Sequence, residues 1–344
     1  MHMADALLSP AVGLTMWAAS AGSLSYSALK IKREELAEKK LPMMAVAGAF
    51  VFAAQMINFS IPGTGSSGHL GGGVLLAAML GGYPALLTIS VVLTIQSLFF
   101  ADGGLLALGS NIFNMGVIPC LLIYPLIFKP LTRKGLTAGR ISLAAILSAI
   151  LGLQLGALGV VLQTTASGIS QLPFSAFILL MQPIHLAIGL IEGVVTVAIL
   201  NFVNQQRPEI LQSSHQRARL ASGISFKKIL AVLAVITLLT AGVLSLLASA
   251  APDGLEWSIA RVAGSAELPA EGEVFGFFAK IQQKLTLLPD YDFAAADSQA
   301  LMPGTTVAGL AGAALTFLLA GLTGLLVSRF KRRKKAAETA KNSR

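Results

Sequence analysis

Apolar residues dominate nine stretches of this chain, at residues 10–29, 41–59, 70–80, 84–100, 111–128, 141–162, 177–202, 229–249 and 304–327, and polar, Gly-rich or basic intervals separate them. About 20 apolar residues in a helix cross roughly 30 Å of hydrocarbon, so each stretch predicts a helix and a candidate membrane span. The stretches at 70–80 and 84–100 are short, and the pattern predicts that they are partly re-entrant. The expected fold class is an all-α polytopic membrane protein.

Composition agrees. Of 344 residues, 55% are hydrophobic and 12% charged, with a mean hydropathy of +0.75, whereas soluble domains carry about 25% charged residues. The formal net charge of +9 would suit nucleic acid, but the placement of the basic residues excludes it as a partner. Lysine and arginine accumulate in cytoplasmic loops. With the N-terminus outside, the inner segments are 30–40, 81–83, 129–140, 204–228 and the tail from 328, and they hold 22 of the 25 basic residues. Only Arg261, Lys280 and Lys284 fall outside. The expected location is a bacterial plasma (inner) membrane, with the C-terminus cytoplasmic and the basic tail anchored at an anionic leaflet.

That orientation puts the chain start, MHMADALLSP, and the loop IPGTGSSGHL (61–70) on one outer face. Gly63 and Gly68 have the spacing of a phosphate-binding G-x-x-x-x-G-K-[ST] loop, but His69 and Leu70 replace the lysine and hydroxyl that would hold phosphate and magnesium. The turn is kept without the chemistry. Residues 1–9 contain no lysine or arginine, so they do not form a secretory signal. Met1 is therefore expected to be the true terminus, and the bulk of His2 protects it from removal.

A free Met-His terminus carries three nitrogen donors: the Met1 amine, the His2 amide once ionised, and His2 Nδ1. They close a five- and a six-membered chelate ring in one plane. One further nitrogen completes a square, which suits Ni(II) or Cu(II), whereas zinc prefers a tetrahedron. The chain has four histidines. His215 lies in a basic inner loop and His185 near the start of an apolar stretch, which leaves His69 as the candidate fourth donor.

Four segments, MHMADALLSP, INFSIPGTGSSGHLGGG, DGGLLALGSNIFNMG and HLAIGLIEG, together resemble the substrate-binding membrane component of nickel and cobalt energy-coupling-factor (ECF) transporters over about residues 1–205. APDGLEWSIARVAG, from Ala251, resembles the PDGLE domain of the small companion subunit over about 225–328. The resemblance implies a seven-helix, ECF S-component-like bundle, followed by two transmembrane helices flanking an extracytoplasmic segment. It implies metal ligands at Met1, His2 and His69, with Ni(II) as transported substrate and Co(II) as the alternative. Its partners would be an integral membrane coupling (T) subunit and cytoplasmic ATPase (A) subunits. Family members usually begin Met-His-Ile-Pro-Asp-Gly; here Met3, Ala4 and Ala6 depart and Asp5 remains. The implied divisions are a metal-binding domain at 1–205, a basic linker at 206–228, a small-subunit-like domain at 229–328 and a tail at 329–344.

Metal-bound imidazoles pass their other N–H to a polar partner, and Asp5, Asn58, Ser66, Gln96, Asn111 and Asn114 are the candidates for such supporting contacts. Each is equally open to a capping or interhelical role. His185 and Glu192, seven residues apart, share a helix face; a structural contact is favoured there over a second metal site, although an intramembrane Glu is a functional candidate by default. Asp253 and Glu256 are explained as a turn cap. Cys120 is the single cysteine, so no disulfide is available. No cytoplasmic segment carries a Walker A loop and no catalytic constellation appears, so the chain is expected to be a transporter subunit whose ATP is hydrolysed elsewhere. The rival class is an ATP-independent secondary cation transporter.

Overall fold

The computed structural model describes residues 1–31, 40–170, 172–216, 227–266, 268–293 and 303–342, with backbone alone for 332–342. The basic stretches at 32–39 and 217–226, expected as inner loops, lie outside the described residues, as does the end of the tail.

All nine apolar stretches are largely helical. The first unit holds α1 (Pro10–Lys30), α2 (Lys40–Gln55), α3 (Gly73–Leu80), α4 (Gly82–Phe100), then one continuous helix, α7 (Ala138–Ser167) and α8 (Phe174–Gln206). The continuous helix starts as α5 (Leu108–Ile112), is π-wound over Phe113–Phe128, and ends as α6 (Lys129–Thr132). Pro119 and Pro125 lie in the π-wound part, where the missing proline N–H groups break the ordinary i to i−4 ladder. This makes seven helices among the described residues. Two more, α10 (Lys227–Gly242) and α13 (Gly304–Asn342), follow, with the short α11 (Gly254–Ala263) and α12 (Glu273–Leu285) between them.

Among the described residues, five helices are long and apolar enough to cross a membrane: Gly82–Phe100, Leu108–Thr132, Ala138–Ser167, Phe174–Gln206 and Gly304–Lys331. Leucines on their outer faces are exposed, Leu179 by 72%, a pattern that suits a surrounding apolar solvent rather than water. The protein is a multi-pass membrane protein. α3, with eight residues, is about 12 Å long at 1.5 Å per residue. It cannot span alone, and it turns into α4 at Gly81, whose φ of 89° is favourable only for glycine.

The two units are packed together. α10 and α13 lie against α2, and α13 also against α4. A Cβ on Gly312 would sit 2.0 Å from the Phe52 ring, so the missing side chain sets the α13 to α2 approach. Part of the expected linker is itself structured: α9 (Pro208–Gln216) docks on the first unit through Ser214 Oγ on the Ala78 carbonyl (2.6 Å) and His215 Nε2 at Thr132 Oγ1 (2.7 Å).

Between α2 and α3 the loop at 59–68 forms a two-stranded antiparallel hairpin, β1 (Phe59–Ile61) against β2 (Ser66–Gly68), with Ser60 opposite Ser67. Gly63, one of the two glycines that imitate a phosphate loop, and Gly65 both have φ of 76°, so they serve a tight reversal. β2 delivers His69 directly to one end of the bundle.

Candidate metal centre

Residues 1–8 do not hang free: they thread into that same end of the bundle. Met1 is 5% exposed and Met3 fully buried. Asn111 clamps the thread, accepting from the Met3 N–H (2.8 Å) and donating to the Met3 carbonyl (3.2 Å), while Gly104 N–H donates to the same carbonyl (3.0 Å). Asp5 Oδ1 accepts from the Ala107 N–H (2.9 Å). A Cβ on Gly104 would lie 1.8 Å from Asp5 Oδ1. The DGGLLALGSN stretch is thus the bed of the terminal strand.

The thread brings the Met1 amine to 3.1 Å from His69 Nε2. His69 Nδ1 lies 3.1 Å from the Leu70 carbonyl, and that partner makes Nδ1 the protonated nitrogen and leaves the Nε2 lone pair facing the amine. Burial first, then the Met1 ammonium and His2, hold His69 at about 3, well below the usual imidazole range, with Asp253 and Asp102 opposing. His69 is therefore neutral at neutral pH. The His2 and His69 rings stack at 5.0 Å with 6° between planes.

His2 is not arranged as a closed chelate. Its Nδ1 lies 2.9 Å from Asp102 Oδ1, and its buried Nε2 has no hydrogen-bond partner. With Nδ1 protonated toward a carboxylate, its in-plane valence is taken. Asp102 also accepts from the Tyr291 hydroxyl (2.5 Å). Burial would raise Asp102, but His2 and Tyr291 outweigh it and hold the carboxyl at about 2.

The backbone just after His69 is fixed from below. Glu192 accepts from the N–H groups of Gly71 (2.8 Å) and Gly72 (3.0 Å), and Gln55 Nε2 donates to the Gly71 carbonyl (2.8 Å) while Gln96 Nε2 donates to Gln55 Oε1 (2.9 Å). Glu192 is thus a structural acceptor, in keeping with the favoured role. His185 Nδ1 bonds back to the Met181 carbonyl (2.8 Å). Of the remaining supporting candidates, Asn114 pairs with Gln163 (2.9 and 3.0 Å), Ser66 Oγ donates to the Ser67 carbonyl (3.1 Å), and Asn58 enters through its carbonyl, which accepts from Ser249 N–H (2.7 Å). The ring nitrogens of His2 and His69 meet Asp102, Leu70 and the Met1 amine instead.

The second unit reaches into this site. Asp253, expected as a cap, does cap α11 through Oδ1, which accepts from Leu255 N–H (2.8 Å) and Glu256 N–H (2.9 Å), while Glu256 returns a bond from Asp253 N–H (3.0 Å). Its other oxygen, Oδ2, lies 2.5 Å from the Met1 amine and 4.0 Å from His69 Nε2. Burial alone would raise Asp253, but the Met1 ammonium and His69 hold it well below the usual carboxylate range. Ser67 N–H donates to the Pro252 carbonyl (2.8 Å), Ser67 Oγ to the Ala251 carbonyl (2.7 Å) and Trp257 Nε1 to the Thr64 carbonyl (3.0 Å), so the PDGLE segment also grips the His69 hairpin. A cavity of about 540 Å³ opens beside the site, lined among others by His2, Asp102, Asp253, Glu256 and Asp290. Among the described residues no three His, Cys, Asp or Glu side chains are gathered to hold a metal ion by themselves.

Residues 2–210 match the family model described as cobalt uptake substrate-specific transmembrane region. The chain belongs to this family. Residues 227–329 match the PDGLE domain, so this cobalt-uptake family member is a two-unit fusion and a nickel/cobalt transport component. It is 30% identical to the fused nickel transport protein of Rhodobacter capsulatus, over 94% of this chain and 97% of that relative. It is 32% identical to the cobalt transport protein of Sorangium cellulosum, over 65% of this chain and all of that relative. A crystal structure of a truncated transition metal transporter superposes with a TM-score of 0.53 at 29% identity, covering 60% of this chain and 99% of that one.

Proposed function

We propose that this cobalt-uptake family member is the substrate-capturing component of an ATP-driven ECF-type importer, and that it takes up Ni(II) from outside through Met1, His2 and His69. One observation carries this: the free amine and the neutral His69 Nε2 stand 3.1 Å apart, although they come from positions 68 residues apart. With metal to nitrogen bonds of about 2 Å, adjacent corners of a square are about 2.8 Å apart, so an ion can enter between the two with small adjustments. The ionised His2 amide follows the amine in the chelate. His2 Nδ1 completes it by leaving Asp102: its proton passes to the ring's other nitrogen, Nε2, which has no hydrogen-bond partner, and the freed Nδ1 lone pair takes the metal.

A square of four nitrogens selects Ni(II) over ions that prefer tetrahedral or oxygen-rich sites. The fusion to a PDGLE domain and the likeness to a fused nickel transport protein favour nickel; the family description and the cobalt-named relative make Co(II) the second candidate. The Asp102 and Asp253 carboxylates beside the cavity favour entry of a cation. Glu192, the acidic group within an apolar helix on which a secondary transporter would depend, is engaged by two N–H groups. The sequence carries no phosphate-binding loop with its lysine, so energy must come from separate ATPase subunits through a membrane coupling subunit.

The test is metal binding by the purified chain. His2→Ala and His69→Ala should each abolish tight Ni(II) binding while leaving helical content unchanged, and the native complex should be yellow and diamagnetic, as square-planar Ni(II) is. Unaltered nickel affinity in His69→Ala would overturn the site. Nickel accumulation in liposomes by the chain without an ATPase would overturn the coupled mechanism.

A further inference from the structure

Asp253 belongs to the PDGLE unit, 252 residues from the amine it touches. Its side chain is 15% exposed and that of Met1 4%, so the pair lies largely out of water. One oxygen is committed to capping α11, and the other has the Met1 amine as its partner at 2.5 Å. A buried charge without a partner is expensive. The question is what neutralises this site once metal has replaced the proton on the amine.

The charge count answers it. In the metal-free state the Met1 amine is the positive partner of Asp253 Oδ2, and His69, whose Nδ1 faces the Leu70 carbonyl, turns a bare Nε2 to that amine. Capture of a divalent ion by the amine and the ionised His2 amide releases two protons, one from each nitrogen. Two positive charges enter and two leave, so the metal complex again carries one positive charge at the same place. Of the two carboxylates at the site, Asp102 faces His2 and Tyr291, and Asp253 is the one that touches the amine, so Asp253 balances the charge at that nitrogen in both states. We propose that Asp253 is the fixed counter-charge and positioning residue of the metal site, supplied by the second unit to the ligands of the first. This inference rests on Met1 and His69 being ligands. In the metal-free state Asp253 holds the amine beside His69; in the loaded state it neutralises the complex without bonding to the ion. Without it, the free terminus relieves its charge by moving to water, which the metal complex cannot do, so the loss falls on binding.

The geometry supplies a clean variant. Asn caps helices about as well as Asp, so Asp253→Asn keeps the α11 cap and removes the charge. Asp253→Glu keeps the charge, and Glu256→Ala breaks the capping box without touching the amine. In the full chain, Ni(II) titration should show the dissociation constant raised about 100- to 1,000-fold or more in Asp253→Asn, the span expected when a buried pair loses one member. Affinity should be largely restored in Asp253→Glu and changed less than about threefold in Glu256→Ala. At saturating nickel the absorption band of Asp253→Asn should equal that of the native protein, because the ligand set is unchanged.

Unchanged or tighter binding in Asp253→Asn would overturn the proposal, as would an equal loss in Glu256→Ala, which would trace the effect to the cap. An altered band would make Asp253 a ligand and also overturn it. If His69→Ala abolishes binding while Asp253→Asn does not weaken it, the counter-charge fails and the metal site stands. If neither has an effect, the metal site itself fails.

Discussion

Adding one methionine ahead of Met1 is the most direct perturbation of the proposed site, because it changes no side chain. The new initiator precedes a bulky residue and stays in place. The former amine becomes an amide nitrogen, which carries no charge and lacks the amine lone pair. Two losses follow. The amine corner of the chelate disappears, and Asp253 Oδ2, 2.5 Å away, loses its cationic partner. Breaking a buried pair costs about 3–5 kcal/mol, and each 1.4 kcal/mol is about tenfold in affinity. The second loss alone therefore lowers the population of the docked terminus, the arrangement that presents the site, by roughly 10² to 10³-fold or more, and the apparent affinity scales with that population. The chain cannot escape by sliding outward, because a shift of one residue would pull Met3 from Asn111 and Gly104. Nor is there slack inside: a Cβ on Gly156 would already lie 2.8 Å from Met1 Cε. The assay is competition for Ni(II) against a coloured chelator, with purified extended and native chains in detergent. A leader that a protease removes flush with Met1 should restore the native affinity. An extended chain that binds nickel as tightly as the native one would refute the amine as ligand.

Three further outcomes are expected. The logarithm of nickel affinity should rise with pH with a slope of about two through the mildly acidic range, one proton from the amine and one from the amide; His69, held at about 3 by burial and the Met1 ammonium, is already neutral there, and a measured slope of three would refute that assignment. Asn111→Ala removes both bonds to Met3 and leaves its buried N–H unsatisfied at about 1–3 kcal/mol, while Gly104 still serves the carbonyl, so isothermal titration should show nickel affinity lowered about tenfold with the same limiting spectrum. Glu192→Gln replaces a carboxylate that accepts two N–H bonds with a group whose amide end repels one of them; a lower unfolding temperature without a change in the donor set is expected, and unchanged stability with lost metal binding would give Glu192 a direct role in metal handling instead.

The bundle was legible because apolar runs long enough to be helices need no tertiary knowledge: seven helices in the first unit and two in the second follow from them. The π winding through Pro119 and Pro125 and the docking of α9 were not, since both depend on packing between distant segments. Met1, His2 and His69 were legible because histidine is rare, four in 344 residues, and two of the four fall on one face beside a Met-His start. Their supporting partners were harder to find. Polar residues near helix ends pointed to Asn111 and Asp5, which hold the terminal strand, but the carboxylates facing the nitrogens are Asp102 and Asp253. Asp102 opens the DGGLLALGSNIFNMG segment, which carries the family resemblance but no spacing that ties it to His2. Asp253 had an adequate local explanation as a cap, and a local explanation accounts for only one of its two oxygens. Sequence spacing has no means of pairing the second oxygen with an amine 252 residues away.

That second oxygen makes the fusion more than a tether. Ser67 and Thr64 of the His69 hairpin bond to Pro252, Ala251 and Trp257, and Asp253 bonds to Met1, so the segment that starts α11 touches both the loop donor and the terminal donor. Any displacement of α11 must move His69 and the amine relative to each other or break these bonds. With Met1 and His69 as ligands, docking of the PDGLE segment and metal capture share one free energy, and the coupling is reciprocal: a docked segment favours the assembled square, and a bound ion favours the docked segment by the same factor. Release of the ion then has a physical handle at some distance from the ligands, because whatever draws α11 away from the hairpin opens the amine corner first.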